Sequence, residues 1–519
     1  MSAVTDVETT AVLVAGGGPA GLAAATELTA WGIDCLVIEP RPEVSHKRPR
    51  AKTSSVRTME LLRRWGLADT VRSKAPLKVD WSQRVTFCES LSGNRITDFE
   101  GAFGLTTERD DRFPEPGQQV PQPVVEEVLR AHLAAEPHAG LRLGHTVIEL
   151  TEHDDAVTVT VRDETGRPYQ VRATYVVGCD GYGGVTRDAI GARYEGKSDP
   201  RPNFNVVFRA PRLDTPLGRA VQYWTLTAAT QGLMGRLDLA GTWWAIMPGI
   251  AADYGMAHAA ELITGLVGAP VEHQLLASDP WIARVLVADR FATRRVFLAG
   301  ESAHVNPPYG GHGYNTSIGD AVNIAWKLAF VLHRRAPRAL LDSYEAERRG
   351  VVAETVASAA ANMRALPADL AADAAAIQRV KAPEFHNLGL VLGYSYAGSP
   401  VIQPGAGGAA VADVGRHTPS AEPGARLPHC WLPDGSSLYD ALGPGFTLIT
   451  PAGVTDTSLL HLSERARALP VPLAVIAAPA GYPWQEFLLV RPDQHIAWRS
   501  ENLMGIDLAA AVGAASRRA

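Results

Sequence analysis

The alternation of apolar and polar positions changes period along the chain and divides it into regions. Residues 11–39 run from an apolar stretch through a glycine-rich turn and an Ala/Leu-rich stretch to a second apolar stretch that ends at Glu39. This order predicts a strand, a helix and a second strand, which together form the βαβ unit of a parallel sheet. Residues 145–187 contain two alternating stretches that meet at turn residues and lead into a buried strand. Their period of two predicts antiparallel strands.

The centre and the end of the chain follow other patterns. Residues 191–285 lack the βαβ rhythm, and their alternating apolar stretches predict a mainly antiparallel sheet. An Ala-rich stretch at 357–380 is followed by a connector rich in Gly, Ala and Pro at 399–410. Apolar strands then recur, and Pro492-Asp493 predicts a hairpin turn between two of them.

A glycine-rich loop stands out within residues 294–329. A short buried strand, Val296–Leu298, is predicted to run into a loop with several glycines and prolines, and a long helix with one apolar face is expected to begin near Asn315. Such a loop lets a ligand approach the backbone closely, and a helix N-terminus attracts negative charge. Asp320 is expected in the first turns of the helix, where an acid interacts favourably with the helix dipole.

Composition and charge narrow the class of protein. The 519 residues, of which 46% are hydrophobic and 20% charged, suit a globular protein of two or three domains. The net charge of −6 and the isoelectric point near 6.2 argue against a nucleic-acid partner, because phosphate binding needs a basic surface. The sequence has no signal-peptide pattern and no apolar run of about 18 residues, so neither export nor a membrane partner is expected.

The cysteines and histidines indicate neither a disulfide framework nor a metal site. The cysteines are scattered without a CxxC pair, which suits the reducing cytoplasm. They are Cys35, Cys88, Cys179 and Cys430. His304 and His312 lie in the glycine-rich loop, but no second pair has the spacing of metal ligands, so no metal is expected.

A glycine motif near the start of the chain has the spacing of a dinucleotide-binding turn. Gly16-x-Gly18-x-x-Gly21 lies between the first predicted strand and helix, so its glycines suit a tight turn, a close pyrophosphate and close helix–strand packing. Glu39 follows after roughly 20 residues, where an acid binds ribose hydroxyls. The basic segment 48–60, with its three arginines, is expected to contact phosphate, and its alternative is a solvated face. The motif alone leaves FAD and NAD open.

Separated motifs together resemble one known family. They are GGGPAG at 16–21, Glu39, RPRA at 48–51, CDG at 179–181, and GESAH with PPYGGHGYNTS at 300–317. The set resembles the single-component, FAD-dependent aromatic hydroxylases, which are the group A flavoprotein monooxygenases related to para-hydroxybenzoate hydroxylase and phenol hydroxylase. The likeness is nearest to the branch that acts on bacterial polyketide phenols and chlorophenols, and it covers nearly the whole chain.

The resemblance implies an α/β fold in which a Rossmann-like FAD-binding domain carries an inserted, mainly antiparallel β-sheet domain for the substrate. A thioredoxin-like α/β domain without CxxC would follow, with a structural or assembly role. The implied boundaries are 1–80, 108–190 and 286–365 for the FAD-binding domain, 81–107 and 191–285 for the substrate-binding sheet, 366–410 for a helical connector and linker, and 411–519 for the C-terminal domain.

The resemblance also implies contacts with FAD. Gly18 and Gly21 would hold the pyrophosphate, together with Arg50. Glu39 would bind the adenosine ribose, and Gln122 would touch the ribitol side. The full implied set is Gly16, Gly18, Pro19, Ala20, Gly21, Glu39, Arg50, Ala51, Gln122, Asp180, Glu301, Pro308, Gly313, Tyr314 and Asn315. The last four would lie against the flavin ring, where the N-terminus of the long helix would stabilise the anionic reduced flavin.

Two places depart from the family pattern. Glu301 stands where the family usually has an Asp that accepts hydrogen bonds from the ribitol hydroxyls. Asp180 keeps the acid of the family's "DG" motif, but Gly183 and Gly184 stand where that motif commonly has Arg and Ser. The motif touches both FAD and NAD(P)H in the family, so the departures bear on how the reductant is handled.

The implied activity is hydroxylation of an aromatic ring. NADPH or NADH would reduce FAD, O2 would add at C4a of the flavin, and oxygen would pass to a phenolic, natural-product or polyketide-like substrate. No residue can be named as a general base. The substrate, the choice between NADH and NADPH and the oligomeric state, a homo-oligomer included, stay open. One alternative is a flavin halogenase, although residues 243–248 do not fit its W-x-W-x-I-P pattern. Another is a flavin-binding protein of this fold that has lost hydroxylation.

Aromatic side chains cluster in the predicted substrate sheet. Either they form a wall for an aromatic ligand or they simply pack the sheet. The candidates are Tyr223, Trp224, Trp243 and Trp244. Because neighbours in a strand point to opposite faces, at most one of Trp243 and Trp244 should face a pocket.

Overall fold

The structure is a computed structural model, which describes residues 8–47, 50–226, 228–365, 373–404, 411, 413–454, 457, 460, 464, 471–503 and 508–513. Two residues of the RPRA motif, Arg48 and Pro49, lie outside the described residues. So do 366–372 and 405–410 of the predicted connector.

The strands and helices follow one another in an α/β order. The strands are β1 Glu8–Ala15, β2 Cys35–Glu39, β3 Thr53–Ser54, β4 Val85–Cys88, β5 Arg95–Phe99, β6 Gln118–Gln119, β7 Ala139–Leu143, β8 Thr146–Glu152, β9 Val157–Arg162, β10 Pro168–Gly178, β11 Tyr194–Arg209, β12 Gln222–Thr225, β13 Gly232–Arg236, β14 Thr242–Pro248, β15 Gln274–Ala288, β16 Val296–Leu298, β17 His304–Val305, β18 Phe446–Thr450, β19 Leu473–Ala477, β20 Phe487–Val490 and β21 Ile496–Ser500. The helices are α1 Pro19–Ala30, α2 Val56–Arg64, α3 Ala68–Lys74, α4 Gln122–Ala135, α5 Thr186–Ala189, α6 Ala252–Val267, α7 His312–Leu332, α8 Ser343–Arg364, α9 Ala374–Phe385, α10 Leu388–Leu392 and α11 Leu508–Ala511.

The first sheet brings four loops of the chain to one edge. Its order is β7-β2-β1-β10-β9-β8, with β16 beside β10. The parallel pairs are β7–β2, β2–β1, β1–β10 and β10–β16. The strands β8 and β9 extend it as an antiparallel pair, as the alternation at 145–187 predicts. Helices α7 and α4 pack against α1. Because parallel strands end at the same edge, the loops after β1, β2, β10 and β16 meet there.

The second sheet separates two hydrophobic clusters. Its order is β17-β15-β11-β14-β13-β12-β4-β5, and its long strands β11 and β15 form an antiparallel pair. Helix α6 covers one face with Leu262, Ile263 and Leu266. The other face packs against Tyr309 of the glycine-rich loop and Phe385 of α9. The mainly antiparallel sheet predicted for residues 191–285 is therefore present, and strands β4 and β5 join it.

The C-terminal region forms a smaller mixed sheet of order β19-β18-β20-β21, in which β18 and β19 are parallel. The turn predicted at Pro492-Asp493 lies between β20 and β21. Gln494 in this turn has a φ of 66°, in the left-handed region that a non-glycine residue seldom adopts.

A buried ion network attaches this turn to α7 and α8. Both terminal nitrogens of Arg491 donate to the Glu347 carboxylate, at 2.7 and 2.8 Å, and Arg491 also pairs with Asp493. Lys327 of α7 donates to the same Glu347 carboxylate at 2.7 Å. Burial opposes the ionisation of Glu347, but Arg491 and Lys327 outweigh it and lower the pKa of Glu347 to about 2. The C-terminal region therefore holds the helix that follows the glycine-rich loop.

Breaking this network should destabilise the whole protein. Arg491→Met leaves Asp493 and part of the Glu347 charge buried without their guanidinium partner. Removing one member of a buried ion pair lowers the free energy of unfolding by roughly 3–5 kcal/mol. Calorimetric melting should show a clearly lower transition temperature for this variant. Arg212→Met is the matched control, because Arg212 and its partner Glu272 are 82% and 80% exposed and exposed pairs contribute about 0–1 kcal/mol. Equal melting of the two variants would contradict the role assigned to Arg491.

Candidate active site

The glycine motif forms a cradle at the start of α1. Gly16 has a φ of 102°, and a Cβ there would lie 2.3 Å from the carbonyl oxygen of Cys179. A Cβ on Gly21 would lie 1.8 Å from the carbonyl oxygen of Gly16. A Cβ on Gly18, by contrast, would meet no atom within 4 Å. Gly16 and Gly21 are thus required by packing, whereas Gly18 borders open space at the α1 N-terminus, which Pro19 begins. This arrangement fits a pyrophosphate.

Glu39 at the end of β2 is buried and faces the same cradle. Its Oε2 accepts a hydrogen bond from the Gly17 N–H at 2.7 Å, and its Oε1 accepts from the backbone N–H and the Nε–H of Arg41 at 2.9 and 2.6 Å. A carboxylate offers about four acceptor positions, so these three bonds leave room for a hydroxyl. The position fits the predicted contact with the adenosine ribose.

Two residues predicted from separate motifs meet at the edge of the sheet. The Nη1 of Arg50 lies 3.3 Å from both carboxylate oxygens of Glu301, and each side chain is about half exposed, at 48% and 50%. Arg50 also has a φ of 39°, an uncommon backbone conformation. A pair this exposed is weak. Its charges remain accessible to a phosphate or a hydroxyl.

Asp180 turns toward the protein and links two loops. It accepts hydrogen bonds from the Thr186 N–H at 2.9 Å and from the Ser302 hydroxyl at 2.8 Å. A Cβ on Gly184 would lie 2.0 Å from Asp180 Cγ. Serine at position 184 would therefore clash in this geometry, so the departure from the family pattern there matches the local packing. Any contact of Asp180 with FAD stays a prediction.

The expectation for Asp320 is wrong. Helix α7 begins at His312, earlier than the predicted Asn315, so Asp320 lies in the third turn and is buried. Its carboxylate accepts from the Gly300 N–H at 3.1 Å, from His304 Nε2 at 2.8 Å and from Arg348 Nε at 2.8 Å. Burial opposes its ionisation, but Arg348 and His304 outweigh it and lower its pKa. Asp320 therefore positions the loop that carries Glu301.

The predicted flavin-facing loop is held by its own side chains. Asn315 Oδ1 accepts from the Ser55 N–H at 2.8 Å and from the Thr58 hydroxyl at 2.7 Å, and its amide donates to the Gly311 carbonyl at 2.7 Å. Tyr314 Oη lies 3.2 Å from Ser54 Oγ, so it also bonds to the segment before α2. These side chains fix the start of α7. The backbone N–H groups of the first turn of a helix have no partner within the helix, so those of α7 are candidates for contact with a ligand.

The remaining predicted FAD residues lie around this edge. Gln122 begins α4, and its backbone N–H donates to the Ala51 carbonyl at 2.9 Å. Ala20 approaches Gly300, whose added Cβ would lie 3.0 Å from the Ala20 Cβ. Pro308 is exposed, and a Cβ on Gly313 would lie 3.0 Å from Asn306 Oδ1. The set is brought together, and each contact with FAD stays a prediction.

The four aromatic candidates divide between the two faces of the second sheet. Tyr223 and Trp243 belong to the cluster under α6, where both are buried. Trp224 and Trp244 belong to the cluster on the other face, together with Tyr309 of the glycine-rich loop. Strand alternation thus leaves only Trp224 and Trp244 on the side of that loop.

Two groups near this edge were missed by sequence reasoning. The Lys52 ammonium lies 4.3 Å from the centroid of the Trp244 ring. The Tyr182 and Tyr194 rings stack at 5.6 Å, and two guanidinium groups flank them. Arg284 lies 4.3 Å from Tyr182 and Arg187 lies 4.2 Å from Tyr194. The sequence marks Lys52 only as part of a basic segment. No local pattern predicts contacts between residues that lie so far apart in the chain.

Comparisons with known proteins agree with this geometry. A family model described as an FAD binding domain matches residues 9–359, and one described as the C-terminal region of aromatic-ring hydroxylases matches residues 420–518. The 4-methyl-5-nitrocatechol 5-monooxygenase of Burkholderia sp. is 31% identical over 95% of this chain and 94% of its own length.

Solved structures extend the likeness to the fold. The rebeccamycin biosynthetic enzyme RebC with reduced flavin has a TM-score of 0.85 and 31% identity, covering 98% of this chain and 99% of its own. Aklavinone-11 hydroxylase, in a ternary complex with FAD and aklavinone, has a TM-score of 0.83 and 29% identity, covering 97% of both chains. The predicted fold class is thus confirmed.

The chain therefore belongs to the FAD-dependent aromatic-ring hydroxylases, and it is a flavoprotein monooxygenase with FAD as its cofactor. None of the described helices is long and apolar enough to cross a membrane. Within the described ranges, no three or more His, Cys, Asp or Glu side chains are grouped as metal ligands.

Substitution of Gly18 should abolish FAD binding. In Gly18→Val the side chain fills the open space at the α1 N-terminus, where the pyrophosphate is expected. Flavin absorbance of the purified protein measures the loss. Gly350→Val is the matched control, because a Cβ on that helical glycine also meets no atom within 4 Å. Flavin at wild-type stoichiometry in Gly18→Val would show that the open space serves another purpose.

Glu301 variants test whether this carboxylate binds the ribitol. A charge-assisted hydrogen bond exceeds a neutral one by about 1 kcal/mol, so Glu301→Gln should weaken FAD roughly five- to ten-fold and Glu301→Asp should change it little. Fluorescence titration of the apoproteins with FAD measures this, with the exposed Glu261→Gln on α6 as control. If Glu301 only neutralises Arg50, its removal frees that cation for phosphate, and Glu301→Gln should bind FAD as tightly as wild type or more tightly.

Proposed function

We propose that this member of the aromatic-ring hydroxylases uses NADPH or NADH and O2 to hydroxylate an electron-rich aromatic ring, such as a phenol of the natural-product or polyketide type. One observation carries the proposal. The loop predicted to lie against the flavin also contributes Tyr309 to the aromatic face of the substrate sheet, where its ring lies 6.1 Å from that of Trp224. A ring bound on this face would lie beside the flavin.

The residues of the chain support the binding half of this function. The α1 N-terminus and Gly18 would hold the pyrophosphate, and Glu39 would hold the ribose. FAD, when bound, supplies the redox chemistry and the activation of oxygen. The backbone N–H groups at the start of α7 would stabilise negative charge on the reduced ring system, because preorganised donors near developing charge act strongly where water is excluded.

The aromatic face would keep water away from the reaction. Trp224, Trp244 and Tyr309 are buried, and Phe385 of α9 closes the same cluster. Exclusion of water prevents wasteful breakdown of reactive species and strengthens electrostatic interactions in the site. The buried sheet face therefore favours transfer of oxygen to a bound ring over its loss to solvent.

The reductant is proposed to approach beside Glu301. The stacked pair of Tyr182 and Tyr194 lies there, because the Tyr194 hydroxyl donates to the Glu301 carbonyl. Arg187 and Arg284 on this stack supply cations for phosphate in place of the arginine that the family motif would carry at 183. We further propose that the enzyme works in the cytoplasm, where NAD(P)H is available and cysteines stay reduced.

A catalytic assay tests the proposed function. With a panel of phenols and isotopically labelled O2, at least one phenol should accelerate NAD(P)H oxidation and recover the label in its product. The flavin-deficient Gly18→Val protein is the control for background chemistry. Release of H2O2 equal to the NAD(P)H consumed, with no labelled product from any phenol, would instead favour a flavin-binding protein that has lost hydroxylation.

A further inference from the structure

Lys52 extends from the FAD-binding part of the chain toward the substrate sheet. Its backbone is fixed because its carbonyl accepts the Val120 N–H at 2.8 Å, directly before β3. Its partly buried side chain places the ammonium 4.3 Å from the centroid of the Trp244 ring, on the face that also carries Trp224 and Tyr309. Lys52 thus connects the segment that carries Arg50 with the aromatic face.

The charge on Lys52 is poorly compensated. Across the residues that the structure describes, no carboxylate lies within ion-pair distance of its ammonium. Asp279 of β15 favours the charged form of Lys52 electrostatically. Burial lowers the pKa of Lys52 to about 8, and Asp279 opposes this shift. A cation–π contact contributes only about 0.5–2 kcal/mol, so it offsets only part of what an ammonium loses when it is withdrawn from water.

The charge of a second lysine on the same face is compensated by nearby acceptors. The Lys381 ammonium lies 4.5 Å from the centroid of the Trp224 ring. It pairs with Glu384 at 2.7 Å and donates to the Asn362 carbonyl at 2.9 Å. Two lysines therefore lie on two tryptophans of one face, and only Lys381 has a carboxylate within ion-pair distance among the described residues. The contrast indicates that the counter-charge of Lys52 comes from a ligand.

We propose that Lys52 binds an ionised oxygen, either a phenolate or a carboxylate, on the aromatic substrate. The inference rests on the proposed function and adds the charge of the substrate to it. An anion beside Lys52 favours the ammonium form, and by linkage the ammonium favours the ionised ligand. Where Lys52 is neutral, a phenol O–H bond breaks and an N–H bond forms on Nζ, which leaves an ammonium–phenolate pair. The phenolate ring is richer in electrons, as hydroxylation requires.

Matched ligand pairs test this without turnover. The oxidised, FAD-loaded protein is titrated with 4-nitrocatechol and its dimethyl ether for the phenolate source, and with 2-naphthoate and its methyl ester for the carboxylate source. At least one acid should bind roughly ten-fold more tightly than its neutral partner, as expected for a charge-assisted hydrogen bond. If nitrocatechol is that acid, its visible spectrum should show the bound ligand ionised at a pH where the free ligand is mostly protonated.

The variants decide whether Lys52 is the cause. Lys52→Met should bring the two members of the preferred pair to within about two-fold of each other, whereas Lys52→Arg should keep most of the preference. Lys74→Met, which removes an exposed lysine elsewhere, should match wild type. Unchanged FAD content and melting temperature establish that each variant is folded.

Three results would overturn the assignment. They are equal binding of acids and neutral partners by the wild type, a preference that survives in Lys52→Met, and binding of none of the four probes by the wild type. Because the titration needs neither reductant nor O2, its outcome is separate from that of the hydroxylation assay. Charge preference without hydroxylation would reject the proposed function alone, and hydroxylation without charge preference would reject the role of Lys52 alone.

Discussion

The close approach of three backbone segments at Gly16 is the constraint on which the site depends. Gly21 presses against the Gly16 carbonyl, and Gly16 presses against the Cys179 carbonyl, with no space for a Cβ at either glycine. This contact sets α1 directly behind the ends of β1 and β10. The α1 N-terminus and the neighbouring loops are then forced to share one edge of the sheet, which is where parallel α/β sheets bind their ligands.

Two buried acids and one partly buried acid hold those loops to one another in a chain of contacts. Glu39 bonds the Gly17 N–H and so attaches the glycine turn to the end of β2. Asp180 bonds Ser302 and joins the loops after β10 and β16. Asp320 bonds the Gly300 N–H and joins the β16 loop to α7. Each acid accepts from backbone or hydroxyl groups that water would otherwise have to satisfy, so the edge is preorganised before any ligand arrives.

Features that depend on local sequence pattern could be predicted from the sequence, whereas features that depend on contacts between distant residues could not. The βαβ unit and the opposite faces of Trp243 and Trp244 follow from periodicity, and the structure agrees. The pyrophosphate contact of Gly18 stays a prediction. Asp320 was misjudged because its partners, His304 and Arg348, are spread along the chain and lie outside any helix-start pattern. In the same way, nothing near residue 491 indicates that Arg491 binds Glu347 on a different part of the fold. Burial and pairing of this kind depend on tertiary structure.

The connector contributes to the site more than its composition suggested. Helix α9 places Phe385 against the aromatic face of the second sheet. Burial raises the pKa of the neighbouring Glu384, and Lys381 and the Gly310 N–H of the glycine-rich loop oppose this rise. Asn387 donates to the Gly310 carbonyl from the same side, at 3.4 Å. The loop is therefore held by α9 behind it and by the segment before α2 through Asn315. Under the proposed function that loop lies between the flavin and the substrate, so α9 would position both of them.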